Sequence, residues 1–271
     1  LPSIASTAKI LDPPGMRIAL ALVLLGSPSP AAHLSPEANR EFDRYVAVVE
    51  TRLARTHYSP QLHPETTELQ RKAGAVLVEP VKGGNRQLTG GLLHHWRGAV
   101  LVAGARREEM LAVLRNYDHL SAYYAPDVES SHALERHGEN ARVAIRFRKR
   151  KIVTVVLDAE CEVESRLAGD GGGYSWSRSI HIWQIREPGS VREQRQKEGD
   201  DDGFLWRLNS YWSFPETPAG LLIECEAVSL TRDIPSGLVW LIAPIVRELP
   251  RASLEFTLTA TRNALNKEKQ L

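Results

Sequence analysis

Between Asp127 and Asp233 apolar and polar positions alternate in six successive runs, VESSHALERHG, ENARVAIRFRKRK, IVTVVLDAECEVES, GYSWSRSIHIWQI, FLWRLNSYWSF and GLLIECEAVSLT. A period of two marks a strand, because successive side chains point to opposite faces. Short, turn-rich breaks between the runs predict an antiparallel meander. Upstream, GAVLVEPV from Gly74 to Val81 and GGLLHHWRGAVLVAG from Gly90 to Gly104 read as two further strands, with KGGN from Lys82 to Asn85 as the turn between them.

Helical spacing appears at both ends of this strand-rich block. Ser35, Pro36 and Glu37 make a helix start, with a hydroxyl cap, a proline where no amide hydrogen is missed and an acid near the positive end of the dipole. Phe42, Tyr45, Val46, Val49 and Leu53 then recur on one stripe, so a helix from Pro36 to about Thr56 is expected to lie against something. HYSPQLHPE leads on to a second, short polar helix. RREEMLAVLRNYDHLSAYYAP carries an apolar face of Met110, Leu111, Leu114 and Tyr117. IPSGLVWLIAPIVRELP reads as an apolar helical piece interrupted at Pro244, and Pro250 as the start of a last helix. Antiparallel strands with helices gathered on one face predict an α+β architecture.

Composition keeps the chain among globular proteins: 271 residues, 42% hydrophobic and 25% charged. The net charge of +1 equals the contribution of Lys9, Asp12 and Arg17. A remainder near zero gives no reason to expect a nucleic-acid partner. Met16 to Ala32, MRIALALVLLGSPSPAA, has the basic start, short apolar run and small-residue end of a secretory signal. Export to the periplasm or outside is therefore expected, with Leu1 to Gly15 upstream of the true start. The apolar run is shorter than the ~20 residues a membrane span needs. Cys161 and Cys225 each alternate with flanking glutamates, which points both thiols inward. They read as buried small hydrophobes, with a disulfide as the alternative.

GGLLHHWRGAVLVAGARREEMLAVLRNYDHLSAYYAPDV resembles the first strand and helix pair of the START-like (SRPBCC) helix-grip superfamily. LNSYWSF, IECEAVSLTRDIPSGLVWLI and the final helix resemble its last strands and grip helix, so the similarity spans Gly91 to about Leu265. The resemblance implies a curved antiparallel sheet of about seven strands wrapped around a long C-terminal helix, with a ligand cavity between them. The superfamily includes lipid and sterol carriers, coenzyme Q-binding proteins, polyketide cyclases and plant hydrophobic-ligand binders. It shares a cavity rather than a fixed catalytic set. Three segments follow: 1–32 as upstream residues and leader, 33–90 as an N-terminal extension, and 91–271 as the ligand-binding domain. The function implied is binding or carriage of a lipid, isoprenoid or quinone-like molecule. The alternatives are a cyclase or dehydratase acting on a hydrophobic ketone, and a non-catalytic interaction module.

Candidate site residues come from the aromatic strands. In LWRLNSYWSF, Arg207, Asn209 and Tyr211 alternate with Trp206, Leu208, Ser210, Trp212 and Phe214. The polar row is taken as facing the ligand, since buried polar groups need partners that a head group could supply. The opposite assignment, with Trp206, Trp212 and Phe214 as the core face, stays open. In GYSWSRSIHIWQI, Trp176 and Arg178 share a side with Tyr174, Ile180 and Ile182, and an inward Arg178 would suit an anionic or carbonyl-bearing ligand. For turnover, Tyr211, Arg178 and His181 would supply proton and oxyanion groups. Trp240, in the apolar run Gly237 to Val246, is the candidate for a lid with transient membrane contact. Core packing is the simpler use of that run. His94 and His95 point oppositely on a strand and cannot share one ion, and no H-E-x-x-H or paired C-x-x-C spacing occurs, so neither metal nor cofactor is expected. RFRKRK, Arg146 to Lys151, reads as a solvated strand end or a contact for acidic lipid.

Overall fold

The computed structural model describes residues 32–56, 74–150, 154–169, 171–233 and 239–268, with side chains of 239–245 left out. The leader-like segment, the polar helix expected after HYSPQLHPE and the side chain of Trp240 lie outside the described residues.

Helix α1, Pro36–Arg55, begins where the sequence places it: the Ser35 hydroxyl accepts from the Ala38 amide at 3.0 Å, with Pro36 in the first turn. Strands β1 (Val76–Leu88) and β2 (Gly91–Val102) form a hairpin. They are followed by α2 (Arg107–Arg115), a single 3-10 turn and α3 (Leu120–Tyr124). The meander is β3 (Val128–His137), β4 (Asn140–Arg150), β5 (Thr154–Leu167), β6 (Gly173–Arg186), β7 (Arg207–Ser213) and β8 (Gly220–Thr231). Helix α4, Val239–Glu268, ends the described chain.

All eight strands join one antiparallel sheet in the order β1-β2-β8-β7-β6-β5-β4-β3, with short additions at β8 and β6. The sheet and long C-terminal helix make the α+β helix-grip arrangement. Two local expectations are corrected. KGGN is not the hairpin turn. The chain reverses at Thr89 and Gly90, and Lys82 to Gly84, all with positive φ, form an irregularity inside β1 where the register shifts between Pro80 and Asn85. Helix α4 also runs through Pro244 and Pro250 without a break. Each interior proline costs about 3 kcal/mol in an isolated helix, and burial of Leu254, Leu258 and Leu265 offsets that cost here.

Two layers cover the sheet. On the grip face, α4 packs on β1, β2 and β8 and against α2 and α3. Its Leu254, Leu258 and Leu265 join Val100, Trp212, Ile223 and Met110 in one core cluster. Gly98 makes this close approach possible: a Cβ there would stand 2.6 Å from Leu258 Cδ1 and 2.8 Å from the Leu77 carbonyl oxygen. On the outer face, α1 lays Ala38, Phe42, Val46 and Val49 on Leu93, Tyr211, Val228 and Leu230. Both thiols are buried and free.

Candidate functional site

Helix α4 is braced along both sides of the grip face. One brace is the β2–β8 cluster; the other is Ala260 and Phe256 against Leu120, Val128, Ile145 and Phe147. Between the braces the middle strands present small side chains. Cross-strand register places Trp96, Ala227, Ser210, Ser177 and Val163 in one row from β2 through β8, β7 and β6 to β5. Ala227, Ser210 and Ser177 are only half-buried, although they sit at the centre of a sheet whose flanks are closed. Leu208, Ile145, Phe147, Val155 and Leu205 are half-buried apolar groups at the cluster around Cys161 and Val163. Small residues under a bridging helix leave room that large ones would fill. The result is an apolar wall with a hydroxyl-bearing floor, the usual make-up of a small-molecule site.

Burial sets the protonation of His94, Cys161, Cys225 and Tyr124 on this face. His94 is fully buried, with Nδ1 2.5 Å from Asn85 Oδ1 and Nε2 3.0 Å from Thr231 Oγ1, and burial pushes its pKa down to about 4. Burial raises the Cys161 thiol to about 11 against a hydrogen bond from Ser177, and raises Cys225 as well. Neither thiol is a nucleophile near neutrality. Tyr124, hydrogen-bonded to Thr261 of α4 at 3.0 Å, is pushed up to about 12 by burial.

The residues singled out in the sequence lie on the other face. Arg178 Nε donates to Glu50 Oε1 at 2.7 Å, and the Tyr211 hydroxyl donates to the same oxygen at 2.8 Å. Arg207 pairs with Asn39 and, at 3.0 Å, with Asp43, its guanidinium 4.9 Å from the Phe42 ring. Asn209 donates to Tyr211 at 3.3 Å, and the Arg178 guanidinium lies 4.3 Å from the Trp176 ring. The structure thus brings Trp176, Arg178, Arg207, Asn209 and Tyr211 together, but under α1 rather than opposite α4. The expected inward polar row is corrected in this respect: Glu50, Asn39 and Asp43 of the extension pair with Arg178, Tyr211 and Arg207, while Arg207 Nε and Asn209 Oδ1 have no partner among the described residues. Trp212 and Phe214 are the core side. Trp206 breaks the alternation, joining the cluster under α1 with its indole donating to Asp201 at 3.1 Å. Ile182 likewise leaves the side shared by Trp176 and Arg178, because the β5–β6 register shifts beside Ile180. His181, paired across the sheet with Glu160 inside β6, stands 2.9 Å from Glu198 of the following loop.

Also beneath α1 lies a network the sequence reading missed. The Tyr45 hydroxyl stands 2.7 Å from His95 Nδ1, His95 Nε2 stands 2.6 Å from Glu226 Oε1, and Arg52 closes on the same carboxylate. Burial works against the Glu226 charge, yet the bonds from His95 and Arg52 hold its pKa below the usual range. Half-buried Glu224, beside it, is raised by burial to about 7. The missed grip-face residues had a signal: Ser175, Ser177 and Ser179 recur at period two, and of these Ser175 and Ser179 are buried and bonded to Ser165 and the Leu208 amide, while Ser177 beside Ser210 is half-buried.

No protein-family model matches the chain, and no curated protein matches it. Solved structures of similar shape include a STAR-related lipid transfer protein fragment from Xanthomonas axonopodis, 18% identical with a TM-score of 0.46, covering 70% of this chain and 98% of that one. The human StarD13 lipid transfer and protein localization domain has 11% identity and a TM-score of 0.43, over 76% of this chain and 98% of that one. The Zhui aromatase/cyclase from Streptomyces sp. R1128 has 14% identity and a TM-score of 0.41, over 66% and 94%. Such scores leave the fold resting on the sheet order and grip helix described above.

Proposed function

We propose that the protein binds and carries a hydrophobic small molecule, of the lipid, isoprenoid or quinone-like kind, between the sheet and α4. One observation carries this reading: the grip face is closed where α4 rests on β2 and β8, yet Ala227, Ser210, Ser177 and Leu208 on the same face are only half-buried. A helix braced at both sides over small residues can retain an apolar guest without unfolding its own core. Carriage is favoured over turnover because Arg178, Tyr211 and His181, the groups that chemistry would require, are engaged by Glu50 and Glu198 away from this wall. Export through the Met16 to Ala32 segment is part of the same proposal.

The test is uptake of an environment-sensitive hydrophobic fluorophore by protein purified without detergent. Saturable uptake that disappears in Ser210→Trp, with the fold retained by circular dichroism, supports the reading. Uptake unchanged by that substitution places the binding elsewhere and removes it.

A further inference from the structure

The entry to α1 holds a buried carboxylate without a counter-ion. A two-residue strand, Ala32–His33, pairs antiparallel with Asp200–Asp201, Ala32 opposite Asp201 and exposed His33 opposite Asp200. The Leu34 amide donates to the Gly199 carbonyl oxygen at 2.7 Å, and Ala32 and Leu34 pack against the cluster under α1 that contains Trp206. Asp201 is 2% exposed, and its Oδ1 accepts from the Gly203 amide at 2.6 Å and from Trp206 Nε1 at 3.1 Å. Among the described residues no cation pairs with it: Lys197 stands 3.7 Å from Asp200, and Arg232 donates to the Asp202 carbonyl oxygen at 3.2 Å. Gln184 donates to the Asp202 carboxylate. Burial raises the Asp201 pKa against the bonds from Gly203 and Trp206, and the charges of Asp202 and Asp200 add to the rise. Such a charge calls for a partner.

The chain can supply one itself. The leader-like run ends in Ser29, Pro30 and Ala31, which puts small residues first and third upstream of the Ala31–Ala32 bond, the spacing of a leader cleavage site. The compact unit begins at Ala32. Hydrolysis of that bond adds water across it, leaving a carboxylate on Ala31 and an amine on Ala32 that takes up a proton near neutrality. Directly opposed residues of an antiparallel pair have Cα atoms about 4.5–5.5 Å apart, with side chains on the same face of the pair. The new ammonium therefore forms beside the Asp201 carboxylate. The cut falls one residue before the leader boundary expected from the sequence, because Ala32 is already paired within the body.

We propose that a leader peptidase cuts between Ala31 and Ala32 and that the new α-ammonium of Ala32 pairs with Asp201, fastening the entry of α1 to the β6–β7 connection. This rests on the export reading above and adds the bond that is cut and the role of the new end. The pair stabilises the fold below the ordinary pKa of an α-amine, and that contribution is lost as pH rises through the raised folded value.

The full chain, produced in a bacterial host and recovered from the periplasm and medium, tests the cut: its intact mass is expected to place Ala32 first. Reductive 13C-methylation then lets NMR follow the α-amine, which should titrate at least about one unit higher in the folded protein than in urea. Asp201→Asn keeps an acceptor for Trp206 and Gly203 and should abolish that difference. Protein made to begin at Ser29 moves the amine away; its Tm should fall by about 3 °C relative to protein beginning at Ala32, and by nothing when both carry Asp201→Asn. If Asp201→Asn fails to fold, the titration of the unaltered protein decides. An exported protein that begins elsewhere, or an Ala32 amine that titrates alike in folded and unfolded protein, overturns the inference and leaves export standing. A chain retained uncut inside the cell overturns both.

Discussion

Glu224 and Glu226 stand two residues apart on the outer face of β8 and are driven in opposite directions by their surroundings. Glu226 is held ionised by His95 and Arg52, so its contribution is present above the ordinary carboxylate pKa and is lost as pH falls through its lowered value. Glu226→Gln should therefore cost about 2–4 kcal/mol in urea unfolding at pH 7, with the difference shrinking in acid. Glu224 behaves in reverse. Its folded pKa of about 7 lies above the ordinary value, so folding is favoured below the unfolded pKa and loses that advantage as pH rises through 7. Glu224→Gln should raise stability by about 1–2 kcal/mol at pH 8.5, after allowing for partial solvent screening, and change little at pH 4. An equal effect at both pH values would contradict the burial argument.

Elements were easier to read from the sequence than the faces they present. Alternation located all six strands of the meander, and the Ser35–Pro36–Glu37 start located α1, because those signals are local. Facing was not local: both sides of β7 are covered, one by α4 and the other by α1, so aromatic groups occur on each and alternation cannot rank them. The irregularity at Ile180 and the turn-in of Trp206 then shift neighbouring side chains across the sheet. Proline signals failed for a different reason, since packing of α4 outweighs local propensity. Glu50 gives the clearest test of how α1 is held, because one oxygen accepts from both Arg178 and Tyr211. Glu50→Ala should speed amide exchange throughout α1 by roughly tenfold while leaving β2 and β8 protected. Uniform acceleration across the sheet would mean that α1 is part of one cooperative core.

At the scale of the whole molecule, one sheet serves two purposes. Its outer face is covered by α1 over β2, β7 and β8, and its grip face by α4 together with α2 and α3, with a half-buried row of small residues across the middle strands. Of the site residues chosen from sequence, Trp176, Arg178, Arg207, Asn209 and Tyr211 lie together beneath α1, where Arg178, Arg207 and Tyr211 hold the extension. The row that supports the proposed function is made of serine and alanine, residue types that announce nothing until register lines them up across four strands. The central claim is that a hydrophobic molecule occupies the space above that row. Native mass spectrometry of detergent-free protein beginning at Ala32, followed by solvent extraction, tests it most directly. The account predicts a bound, extractable, lipid-like molecule that is absent from Ser210→Trp. A protein that carries nothing and takes up no hydrophobic probe would contradict it.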